Sequence, residues 1–256
     1  MNTKSPRNSQ AGFSLIEMMI ALLVISIIMG AVFAQIDQAQ QRSAAEETKL
    51  DSFQQAREFM DHLTRDLRQA GYPNPQNYAN GILNPTVGGV VQDPATSPLA
   101  AVGLVYINNG DLWFEGDVDG TGQVSSIQYH LEQNGPGCPC LRRSQVPKVA
   151  GAPGGSPIGS QGESYSVEVQ NVVNGSAENP IFYAYTNGGD TPVALPLTWG
   201  TDNITLATVD TIKIIVTVEA AAADMKTGER PITTLVSTVR LNNCSQGASA
   251  GLLACE

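Results

Sequence analysis

Histidine is scarce in this chain: there are two in 256 residues, His62 and His130. Neither follows Gly247-Ala248-Ser249-Ala250-Gly251, which has the Gly-x-Ser-x-Gly lettering of a hydrolase nucleophile turn. That turn sits between a strand and a helix and needs an acid and a histidine further along the chain. Too little chain remains before Glu256 for such a helix, so the segment reads as a loop. No stretch has the glycine-lysine pattern of a phosphate-binding loop, and no cysteine spacing suits zinc. His62 falls beside an apolar helical stripe and His130 on the polar face of a strand, so both read as surface residues. With no nucleophile beside a base, a membrane-anchored hydrolase lacks its machinery and no enzyme is expected.

Basic residues are also few, 14 against 24 acidic, for a net charge of −10. The only adjacent basic pair is Arg142-Arg143. Such a surface repels phosphate backbones, so no nucleic-acid partner is expected. No internal repeat is visible. From Ala31 to Ala70 there is neither proline nor glycine, whereas the whole chain has 25 Gly and 15 Pro. One long uninterrupted helix followed by a turn-rich β region is the simplest distribution.

What is abundant is apolar sequence near the start. Gly12 to Ala34 forms an apolar run broken by one carboxylate, Glu17. As a helix these positions span about 34 Å, enough to cross a bilayer core of about 30 Å. An acidic side chain in the middle of a membrane helix costs on the order of 2.5 to 3.5 kcal/mol on insertion scales. A plain anchor gains nothing from it. Cleavage between Gly12 and Phe13 would create a free α-amine, and that amine on a neighbouring copy of the helix is a natural counter-ion for Glu17. Lys4 and Arg7 precede the run, so the leader is expected to stay in the cytoplasm and the rest beyond about residue 36 to be exported.

Gly12-Phe13-Ser14-Leu15-Ile16-Glu17, behind a short basic leader and ahead of an apolar helix, resembles the class III signal of type IV prepilins and type II secretion pseudopilins. The resemblance implies cleavage after Gly12 by a membrane prepilin peptidase, N-methylation of Phe13, and use of Glu17 in docking subunits into a filament. It also implies other pilins or pseudopilins, an inner-membrane assembly platform and membrane lipid as partners. Loss of the leader would leave 12 basic against 24 acidic side chains, a net charge of −12.

Beyond the membrane run, Leu50, Phe53, Ala56, Met60, Leu63, Leu67 and Ala70 recur at helical spacing and mark a face that packs on something. Gln35 to Lys49 is polar and is expected to meet water or neighbouring subunits. Gly71 ends the helix, with Arg65 and Arg68 in its last turns and Pro73 just past it. The expected organisation is a leader at 1–12, a transmembrane half-helix at 13–36, an exported half at 37–71 and a β-rich domain at 72–256. The fold class is therefore α+β, a pilin-like lollipop with a long N-terminal helix on an antiparallel sheet. Arg65-Asp66-Leu67-Arg68-Gln69-Ala70-Gly71-Tyr72 resembles the helix end of PilW-like minor pilins, with the J-type minor pseudopilins of type II secretion the nearest rival.

Residues 73–101 read as an irregular connection with one short strand near Val87 to Val91. Val102 to Ile107 and Asp111 to Phe114 flank Asn108-Asn109-Gly110, a hairpin turn. In Val124 to Leu131 the alternation places Ile127, Tyr129 and Leu131 on a buried face, with Leu141 to Val146 as the partner. A Gly, Pro and Ser loop at 147–162 is a possible boundary between sub-sheets at 102–146 and 163–243. The second region holds strand signals at Tyr165 to Val173, Pro180 to Thr186, Ile204 with Leu206, Thr211 to Glu219 and Leu235 to Leu241. Thr211 to Glu219 reads as a central strand.

Export permits disulfides, and four cysteines, Cys138, Cys140, Cys244 and Cys255, allow three pairings. Cys244 with Cys255 closes a short C-terminal loop and resembles the C-terminal disulfide loop of many pilins. Cys138 and Cys140 leave a local bridge, two thiols or cross-pairing open. Asp117, Asp119 and Thr121 alternate as in the start of a calcium loop, but the position where a bidentate acid belongs is Gln128. A solvated turn is the simpler reading, and no other cofactor is expected. Two functions follow: a filament subunit, minor pilin or pseudopilin, placed at or near the tip, or a tip adhesin or secretion-substrate receptor with its specificity in loops 73–101 and 147–162. The location implied is the bacterial inner membrane, then a pilus or pseudopilus.

Overall fold

The computed structural model describes residues 14–72, 86–87, 90–91, 97–149, 153, 162–186, 188–223 and 228–241. Helix α1, Leu15–Arg68, runs unbroken for 54 residues, about 81 Å at the usual rise. Gly30 has no atom within 4 Å of where a Cβ would stand, so the helix passes it without crowding. The first residue buried by the rest of the chain is Ala56. Phe53, one turn earlier, is half-buried and lines a cleft with Leu235, Val236 and Ser237 of the domain, while Leu50 and most of the helix before it are exposed.

The helix ends where the sequence places a stop. Gly71 takes a φ of 79°, a left-handed conformation that costs other residues about 1–2 kcal/mol. The turn is held against the sheet, Gly71 N–H donating to the Glu115 carbonyl at 2.8 Å and Asp117 N–H to the Tyr72 carbonyl at 2.8 Å. Gly116 lies so close that a Cβ there would stand 2.5 Å from the Gln69 carbonyl oxygen.

Strands β1, Thr86–Val87, and β2, Val90–Val91, pair with each other antiparallel. The single strand expected near Val87 to Val91 is thus a small ladder, with Gly88-Gly89 between its arms in sequence. Next come β3, Leu104–Ile107, β4, Leu112–Gly116, β5, Ser125–Glu132, β6, Cys140–Pro147, and β7, Ser166–Gln170. They are followed by β8, Phe182–Thr186, β9, Leu197–Thr198, helix α2, Asn203–Thr208, β10, Val209–Glu219, and β11, Ile232–Arg240. Six strands form one antiparallel sheet in the order β7-β6-β5-β4-β3-β9, and three form a second in the order β11-β10-β8. The molecule is α+β, a long N-terminal helix followed by antiparallel sheets, consistent with the pilin lollipop.

Three expectations change. The chain does not divide into sub-sheets at 147–162, because β7 and β9 return to the sheet begun by β3 to β6. A bridge between Val172 and Val218 then ties the end of β7 to β10. Ile204 and Leu206 lie in α2 rather than a strand: Ile204 is exposed and Leu206 buried, whereas a strand would put both on one face. In β5 the supposedly polar face is covered too, with Ser126 and Gln128 buried beside Ile127, Tyr129 and Leu131. β10 is central as expected, burying Ile212, Ile214, Val216 and Val218.

One core joins both sheets to the helix, with Phe59, Leu63 and Leu67 of α1 packed among Leu112, Phe114, Ile127, Leu141, Phe182 and Ile214. Each such side chain contributes about 1.5–3 kcal/mol when fully buried. Phe59 belongs to this core although the sequence stripe omitted it, while Leu50 at the stripe's start lies beyond the domain's reach and is exposed. On the opposite face of the six-stranded sheet, Trp113 packs with Val102 and Val105. Beside them Lys148 Nζ meets Glu115 Oε2 at 2.6 Å, both side chains wholly buried.

Candidate assembly site

The exposed end of α1 is built from local rules. Ser14 is the N-cap in an extended conformation, and its carbonyl receives the N–H groups of Glu17 and Met18 at 3.0 and 3.2 Å. Leu15, Ile16, Met19, Leu23, Ile27 and Phe33 are each more than half exposed. The segment is long and apolar enough to cross a membrane, and none of its most apolar stretch is buried within the molecule. Ser26 turns its hydroxyl back to the Leu22 carbonyl at 2.8 Å, so it presents little free polarity to an apolar medium.

Glu17 lies in the first turn, not mid-helix as the cost assigned to it from sequence assumed. The helix dipole there favours a carboxylate by about 0.3–1 kcal/mol. That offsets only part of the roughly 2.5–3.5 kcal/mol that a central position would cost. Among the described residues the Glu17 carboxylate has no hydrogen bond or ion pair, so its own domain offers it no counter-ion. Gly12 and Phe13 lie outside the described residues, as do Cys244, Cys255 and the loop at 247–251.

Between this apolar end and the domain the helix is polar and self-bonded, with Gln41 donating to Asp37 at 2.9 Å and Thr48 to the Ala44 carbonyl at 2.9 Å. Full burial of the helix begins at Ala56, and the docked portion is locked by a charged cluster that sequence reasoning missed. Asp66 is 2% exposed, and its Oδ2 accepts from the Tyr129 hydroxyl at 2.8 Å and from Arg143 Nε and Nη2 at 3.0 and 2.8 Å. The Arg143 guanidinium also lies 5.9 Å from the Tyr129 ring centre, and Phe59 meets that ring edge-on at 5.7 Å. Burial first, then the Asp66 charge, hold the Tyr129 phenol well above its ordinary pKa, so it stays a donor. A signal was present: Asp66 follows Phe59 by seven and Leu63 by three, which puts one acid on the apolar face. Arg143 alternates onto the face of β6 that pairs with Tyr129 in β5.

The remaining sequence candidates take quieter roles. His62 is partly exposed and lies 3.7 Å from Asp66 and 3.8 Å from Glu168. His130 is half-buried rather than a free surface residue, its Nδ1 2.6 Å from Asp111 Oδ1, and that bond raises its pKa. In the Asp117 to Gly122 turn the carboxylates are engaged by the loop itself. Thr121 N–H donates to Asp117 at 3.0 Å, Gly122 N–H to Asp117 at 2.9 Å, and the Thr121 hydroxyl to Asp119 at 2.7 Å. The Thr121 bonds hold Asp119 below the usual carboxylate range. No group of three metal-ligating acids, histidines or cysteines occurs among the described residues. Cys138 is bonded to Cys140, which resolves the alternatives left by that spacing in favour of the local bridge.

With this geometry in view, one comparison is informative: residues 7–33 match the family model described as the prokaryotic N-terminal methylation motif. The motif indicates a type IV pilin-like precursor, implies processing by prepilin peptidase and assembly with other pilins, and suggests anchoring in the inner membrane. It is a structural motif and not that of an enzyme. No curated protein and no solved structure matches the chain.

Proposed function

We propose that this chain is a minor pilin or pseudopilin, cleaved between Gly12 and Phe13 and methylated on the new Phe13 amine. Its apolar helix is stored in the inner membrane and then transferred into the core of a filament. The observation that carries this is Glu17, a carboxylate with no partner among the described residues, in the first turn of an otherwise bare apolar helix. A neighbour's Phe13 amine at the same depth supplies the missing charge and sets the axial register between subunits. The resemblance of Arg65 to Tyr72 to the PilW-like group favours a minor subunit. A large acidic domain suits an initiating or tip position better than a repeating shaft.

The test is Glu17→Ala in the full chain. Membrane fractionation is expected to be unchanged, while the amount recovered in sheared filaments falls several-fold. Wild-type incorporation of the variant would refute the register role. Mass spectrometry of the cellular protein should find methylated Phe13 at the N-terminus, and a chain still beginning at Met1 would overturn the filament reading.

A further inference from the structure

A cleft of about 300 Å³, the volume of roughly ten waters, opens where the β3–β4 turn meets the end of β5 and the start of β9. Tyr106, Asn109, Asp111, Leu131, Gln133 and Pro196 line it. Its frame is rigid for reasons internal to the turn. Asn108 Oδ1 accepts the N–H groups of Gly110 and Asp111 at 2.7 and 2.5 Å, and its amide donates to Tyr106 Oη at 2.9 Å and Asp111 Oδ2 at 2.6 Å. The Asn109 carbonyl receives Ile181 N–H at 2.7 Å, which ties the turn to the residue just before β8.

The chemistry of the cleft is selective. Asp111, its one charged lining group, is fully engaged, Oδ1 by His130 and the Leu131 N–H and Oδ2 by Asn108. What is left to meet a ligand is uncharged: the proton of the Tyr106 hydroxyl, whose oxygen accepts from Asn108, and the side-chain amides of Asn109 and Gln133, which have no hydrogen-bond partner among the described residues. Beside them stand three apolar surfaces, the Tyr106 ring, Pro196 and Leu131. No lining residue is cationic, and the chain's net charge of −10 opposes an anion. Neutral amides and a hydroxyl beside flat apolar surfaces match a ring that carries hydroxyl groups at its edge and C–H groups on its face.

The geometry points to this cleft as a binding site for a neutral saccharide. The site stands on the domain's own residues, so it holds or fails independently of filament assembly and of Glu17. Saturation-transfer NMR on the full chain in a sugar-free detergent, with methyl glycosides of glucose, galactose, mannose and N-acetylglucosamine as probes, tests it. At least one probe is expected to bind with millimolar affinity, to lose about tenfold with Gln133→Ala and with Asn109→Ala, and not to be displaced by sialic acid. Gln133 is exposed, so its replacement leaves the fold intact, which an unchanged amide spectrum verifies. Silence from all four glycosides, affinity unaffected by Gln133→Ala, or displacement by sialic acid would each overturn the assignment.

Discussion

Arg143→Met isolates the contact that fixes the helix to the sheets. In the folded protein the Arg143 side chain is 12% exposed and the Asp66 side chain 2%, and the guanidinium supplies two of the three hydrogen bonds to Asp66 Oδ2. Removing one partner of a buried ion pair costs about 3–5 kcal/mol, mostly because the other charge is left without compensation. Tyr129 still donates to Asp66 at 2.8 Å, which places the expected loss near the lower end, about 3 kcal/mol. That lowers the folding equilibrium constant by more than about a hundredfold, a large share of the roughly 5–15 kcal/mol a domain possesses. Urea unfolding of the full chain in micelles, followed through its two tryptophans, reads the change. The combined variant Asp66→Leu, Tyr129→Phe and Arg143→Met removes the buried carboxylate together with both of its hydrogen-bond donors. It should recover most of the loss, since apolar groups of similar volume often replace a buried pair at little cost. A loss below about 1 kcal/mol for Arg143→Met, or a combined variant as unstable as the sum of its parts, would refute the account.

Gly116→Ala should destabilise by about 1–3 kcal/mol, because the added Cβ falls 2.5 Å from the Gln69 carbonyl and the backbone on both sides must shift. Gly30→Ala, with nothing within 4 Å, should leave the urea midpoint of the domain unchanged, and equal effects of the two substitutions would count against the close approach. For Glu115, burial pushes the carboxyl up to about 7 from an ordinary 4.5, outweighing the pull of Lys148. The folded value lies above the unfolded one, so this group's contribution is complete below the unfolded pKa and is lost as pH rises through the folded one. The loss is bounded by on the order of 3 kcal/mol. Wild type should therefore lose more stability than Glu115→Gln between about pH 5 and about pH 8, and parallel pH profiles would exclude the effect.

Much of this protein is legible in its sequence because the relevant forces are local or one-dimensional. The apolar run, the absence of Pro and Gly from Ala31 to Ala70, and the stop at Gly71 define a single helix before any contact is known, and α1 follows them closely. The Asn108-Asn109-Gly110 turn and the alternation of Thr211 to Glu219 likewise carry their own geometry into β3, β4 and β10. The processing motif is a string of adjacent residues, and it matches a family model on that basis alone.

What the fold alone decided involves residues brought together from afar. Asp66 and Arg143 are 77 positions apart and Lys148 and Glu115 are 33 apart, and no periodicity links either pair. The membership of β7 and β9 in the first sheet depends on which edges remained open, and the helix at Ile204 to Leu206 depends on which side the core lay. Local pattern assigns a residue to a face. Only closure of the sheets around the helix determines what that face meets, and therefore which charges are buried together and which clefts remain open.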